Sequence, residues 1–75
     1  MDVQYELGRV AQVNMDIKAA NERIAELASK ANTLERAGQD VTEINQTLAR
    51  CNAVVAHMAQ ERDKLTLLIA KALLP

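Results

Sequence analysis

The chain has 75 residues, a net charge of −1, a single aromatic residue, one histidine and one cysteine. A chain this short makes one small domain with a thin interior. Its mixed, slightly acidic charge offers no field for a polyanion, and Tyr5 alone cannot build a stacking platform for bases, so nucleic acid is disfavoured as a ligand.

The first element begins near the N-terminus. Val3, Val10, Ile17, Ile24 and Ala31 recur every seven residues, and each is followed three residues later by Glu6, Val13, Ala20, Leu27 and Leu34. Steps of three and four kept up for about five heptads belong to a helix and not to a strand. The pattern predicts helix over residues 2–37, with the first two turns weakened by Gly8 and the polar Glu6.

A turn over residues 38–40 follows. Lys30 and Arg36 complement the negative pole of the first helix, and Gly38 is suited to the left-handed conformation after its last turn. Asp40, with Glu43 three residues on, has capping-box spacing and is expected to open the second helix.

The second helix is predicted over residues 41–74. Its core series is Val41, Leu48, Val55, Arg62 and Ile69, followed by Ile44, Cys51, Met58, Leu65 and Ala72. At about 1.5 Å per residue each helix is roughly 50 Å long. So short a connection makes them antiparallel neighbours. The fold class is therefore all-α: an antiparallel two-helix hairpin, coiled-coil-like, that completes a four-helix or larger helical assembly with a partner. No cap beyond Pro75 closes the open end after Leu73, where fraying is expected.

Facing core residues then have numbers that add to about 78 or 79. Leu34 meets Ile44, Leu27 meets Cys51, Ile24 meets Val55, Ala20 meets Met58 and Val13 meets Leu65. Arg62 falls opposite Ile17; its stem is expected to cover Ile17 while its guanidinium reaches Asp16. Such a residue either sets register or contacts a partner. Cys51 lies on the seam and reads as a small core hydrophobe.

The flanks of the seam carry the functional information. One side is built from small and apolar groups: Leu7, Ala11, Ala25 and Ala28 from the first helix, and Ala49, Ala56, Ala59, Ala70 and Leu73 from the second, with Asn14, Asn21, Asn45 and Asn52 among them. The opposite side holds Arg9, Arg23, Glu26, Lys30, Glu43, Arg50, Glu61, Lys64 and Lys71. Val54, Leu67, Leu68 and Leu74 widen the apolar surface toward the open end. An alanine-rich face permits close approach of another helix. Leu7, Ala11, Ala25, Ala28, Ala49, Ala56, Ala59, Leu68, Ala70 and Leu73 are thus the expected partner-binding residues. Packed on itself, the hairpin makes a homodimeric four-helix bundle; the other occupant is a helical protein of a different kind.

Catalysis finds no support in the chain. His57 pairs in sequence with Glu61 one turn on, and it points away from Cys51, so the two cannot ligate one metal. No carboxylates gather in an apolar pocket, and Gly8 and Gly38 are isolated, so no phosphate-cradling loop exists. No enzyme, cofactor or metal is expected. Asp2 and Glu6 stand where a secretory or transit segment would carry basic residues. Leu67 to Ala70, the longest apolar run, is far too short to span a bilayer. The expectation is a soluble cytoplasmic protein.

The hairpin from Ile24 to Leu68, with its Arg36-Ala37-Gly38-Gln39-Asp40 turn and a second helix rich in Leu, Ala and Val, resembles the small co-chaperones of type III secretion needle subunits. That resemblance implies a bacterial cytoplasmic setting and a partner, a larger chaperone of tetratricopeptide-like repeats. Together the two keep the needle subunit from polymerising before export. Two other classes fit a short hairpin: a dimeric phage or plasmid regulator acting by protein contact, and an RNA-binding four-helix bundle. The alternation of Arg9, Arg23, Arg50 and Lys64 with Glu26, Glu43 and Glu61 counts against RNA.

Overall fold

The computed structural model describes residues 1–75, as two helices, α1 (Val3–Arg36) and α2 (Thr42–Leu73). They lie side by side in a rod of 60 × 15 × 13 Å. No helix is long and apolar enough to cross a membrane.

The heptad series sets what the seam covers. Nineteen of the twenty core positions are buried or half-buried, Ala72 being the exposed exception, and outside the series only Thr47 and Ala59 are comparably covered. Ala72 was expected in the core. It lies in the last turn of α2, opposite Glu6 by the register, and stays exposed although Val3 and Glu6 of α1 are half-buried there. The covering is thin everywhere: only Ala31, at 8% exposure, and Ile69, at 6%, are fully buried. Two helices have a single line of contact, so each core side chain keeps one edge in water.

The ends are defined by specific hydrogen bonds. Asp2 caps α1: its side chain accepts from the Tyr5 amide at 3.2 Å, and its carbonyl accepts from the Glu6 amide at 3.0 Å. This offsets the weakness at Gly8 that the sequence predicts for the first two turns, since it satisfies donors that a helix start leaves free. Glu6 occupies a core position yet is charged. It is held under Arg9 at 3.1 Å, with its side chain 14% exposed. At the other end Gly38 takes φ 76°, the Gly38 amide donates to the Glu35 carbonyl at 3.0 Å, and the Gln39 amide donates to the Leu34 carbonyl at 2.9 Å. That pair of bonds around a left-handed glycine is a Schellman closure, which ends the helix and reverses the chain.

The start of α2 differs from the expected capping box. Asp40 accepts from the Thr42 amide at 2.9 Å and from the Thr42 hydroxyl at 2.7 Å, and Glu43 makes no return bond to Asp40. The helix opens at Thr42, with Val41 in the capping position. A Thr two residues beyond an Asp lets a local Asx turn satisfy both groups, and this competes with the longer loop that a capping box needs.

Candidate partner-binding flank

The helical period sorts the exposed residues onto two sides of the seam. On one side the twenty flanking positions include three charged residues, Lys18, Glu35 and Asp63; on the other, twenty positions include eleven. This difference marks the first flank as the one suited to another protein surface.

Of the predicted partner-binding residues, Leu7, Ala11, Ala25, Ala28, Ala49, Ala56, Ala70 and Leu73 are exposed on the first flank, and Ala59 is half-buried there. Leu68 lies across the seam. It shares the heptad position of Val54 and Glu61, and its exposed side chain extends the apolar surface of the charged side. The open end carries large exposed apolar side chains on both flanks: Tyr5, Leu7, Leu67, Leu68, Leu73 and Leu74 are all at least 46% exposed.

The antiparallel register divides the first flank into bands. Nearest the open end Leu7 and Leu73 stand level with Ala11 and Ala70. Two heptads further toward the turn, Asn21, Ala25, Ala56 and Ala59 form a second, lower band. Between them runs a polar belt of Asn14, Lys18, Asp63 and Thr66, and Arg62 ties it together. The Arg62 Nη1 donates to the Asn14 Oδ1 at 3.2 Å, and Nε and Nη2 both reach the Asp63 Oδ1 at 3.2 Å.

Arg62 was expected to reach Asp16, and it does not. Asp16 falls on the charged flank, where it accepts from Gln12 Nε2 at 3.0 Å. The Arg62 side chain leaves the seam on the opposite side, so Asn14, which follows the core residue Val13 and stands at that edge, takes its place. Lys18 and Asp63 are members of the flank that the sequence reading did not name, and Asn14, which it placed there, was not expected as the partner of Arg62. The signal was present: Asn14 shares the heptad position of Leu7 and Ala28, which identifies it as a neighbour of the Arg62 exit. Lys18 has no carboxylate at ion-pair distance.

The surface depressions lie on the charged side. One, of about 300 Å³, is lined by Leu27, Lys30, Leu34, Asp40, Glu43, Ile44 and Thr47 near the turn; the other, of about 200 Å³, by Ala20, Arg23, Arg50, Cys51 and Val54. Leu34 and Ile44, expected to face each other, line the first together, whereas Ala20, expected opposite Met58, shares the second with Cys51 and Val54. Both are open furrows between side chains. The pKa of Asp40 is displaced downward. The Thr42 amide, and then its hydroxyl, hold the carboxyl below its usual value, against a small opposing effect of burial. No three His, Cys, Asp or Glu side chains converge. His57 is exposed and Cys51 half-buried.

Comparison with protein-family models, with curated proteins and with solved structures gives no match for this chain.

Proposed function

We propose that this chain is a protein-binding helical hairpin whose neutral flank receives helices of another protein. The observation that carries the reading is the imbalance between the flanks, three charged positions against eleven, on a rod with only two fully buried residues. Closely spaced alanines allow a helix axis to approach to about 8 Å. The leucines at the open end supply the larger apolar contacts.

The setting we propose is that of a type III secretion co-chaperone, the family that the hairpin and its turn resemble. Its partner is then a chaperone of tetratricopeptide-like repeats, whose paired helices present the grooves that such a flank fits. The hairpin acts by occupancy. It stabilises the repeat chaperone, and the assembly covers the amphipathic helices through which a needle subunit polymerises. No covalent chemistry is involved.

Co-expression with a helical-repeat chaperone encoded in a type III secretion gene cluster tests this directly. The expected result is a one-to-one complex that survives gel filtration and is lost in the double variant Ala25→Glu/Ala56→Glu, which places two charges in the lower band. Full-strength binding by that variant removes the flank from the mechanism.

A further inference from the structure

We infer that a second copy of this chain covers the neutral flank when no other partner is present, and that it does so head to tail about a two-fold axis through the Arg62 belt. This rests on the reading of that flank as a docking surface and names one occupant for it. Two observations carry it, one of area and one of shape.

The hairpin exposes 5682 Å² at a mass of 8.2 kDa. A compact monomer of that mass exposes about 4,500 Å². The excess of about 1,100 Å² exceeds the roughly 800 Å² that each partner contributes to a stable interface. One further rod laid along one flank is enough to remove it.

The shape of the flank is self-complementary. The high band of Leu7 and Leu73 and the low band of Ala25 and Ala56 lie about one heptad to either side of the polar belt. A two-fold axis at the belt, perpendicular to the rod, lays each high band on the partner copy's low band. Residues of α1 then face each other when their numbers add to about 32, and residues of α2 when they add to about 129. Leu7 sits on Ala25 and Leu73 on Ala56, leucine on alanine at both ends, which keeps the two rods evenly spaced. At the axis Lys18 meets Asn14 and Asp63 meets Thr66, so the charged residues of the belt meet neutral polar groups and no like charges are opposed there. Such an isologous contact closes after two copies. The other two-fold stacking keeps both turns at one end. It puts Leu7 on Leu73 and Ala25 on Ala56, forcing the rods apart at one end and leaving a gap at the other.

Exchange of large and small residues distinguishes these arrangements. In sedimentation of the full chain, Leu7→Ala opens a gap and Ala25→Leu sets leucine against leucine. Each occurs twice per dimer and weakens dimerisation by about tenfold or more. The double variant Leu7→Ala/Ala25→Leu restores the pairing and returns the dimer to near its original strength. In a Cys51→Ser background, the paired change Leu7→Cys/Ala25→Cys gives an oxidised dimer, and either single cysteine does not. A hairpin that stays monomeric at high micromolar concentration overturns the inference, and so does a double variant weaker than both singles, or cross-linking of either cysteine alone. Those outcomes leave the proposed function standing, because that reading fails only when the Ala25→Glu/Ala56→Glu variant keeps its helical-repeat partner.

Discussion

The two glycines provide a test in which the same substitution has opposite signs. Gly38 holds φ 76°, and a Cβ built there meets nothing within 4 Å. Gly38→Ala therefore carries no steric clash with the rest of the molecule, and its cost is that of a left-handed alanine, about 1–2 kcal/mol. Reduced freedom of the unfolded chain offsets about 0.4–1 kcal/mol of this. The net expectation is a loss of about 1 kcal/mol, or roughly 4–8 °C in Tm for a chain of this size. Gly8 lies inside α1 with open space around its Cβ position. Gly8→Ala gains about 0.5–1 kcal/mol, because alanine is the better helix former and nothing obstructs it. Both follow from urea unfolding monitored by helical circular dichroism at one fixed protein concentration. A stabilised Gly38→Ala refutes the reasoning, since it would mean that the chain does not reverse through a left-handed residue. Without that reversal α1 and α2 do not lie side by side, and the two flanks cease to be distinct surfaces.

Three further outcomes follow from the same geometry. Arg62→Met keeps the stem that packs in the seam and removes an ion pair whose members are 32% and 71% exposed; hairpin stability changes by less than about 1 kcal/mol, whereas Arg62→Ala, which also loses the stem, costs about 1 kcal/mol more by the same unfolding assay. The Asp40 carboxyl is held below its usual value of 3.8 by the bonds from Thr42. Its contribution is thus complete above that value and is lost as pH falls through the lower folded-state value; a titration of stability below pH ~4 shows a loss in the parent that is smaller in Asp40→Ala. Ala25→Glu and Ala56→Glu both stand on exposed surface of the single hairpin, so at concentrations where the chain is monomeric each leaves the unfolding free energy within about 0.5 kcal/mol, and a larger loss there shows that these positions are part of the hairpin's own packing.

The sequence by itself determined the two helices, their antiparallel order and the seam. A three-four alternation maintained along both arms has one geometric solution, and Gly38 followed by Asp40 marks the place where the chain reverses. It also determined the difference between the flanks, because heptad position alone assigns a residue to a side. Local competition at the turn and exits from the seam were decided only by the tertiary structure. Thr42 captured both bonds of the Asp40 carboxylate, because a neighbour two residues away reaches it with less chain to order than Glu43 would. Arg62 went to Asn14 and Asp63 because its side chain leaves the seam on one side and Asp16 stands on the other. Ala72, at a core position of the heptad series, is left exposed in the last turn of α2. The periodic pattern says which residues point inward. Only the packed pair of helices says how far the covering extends and which polar group an inward-pointing arginine can reach.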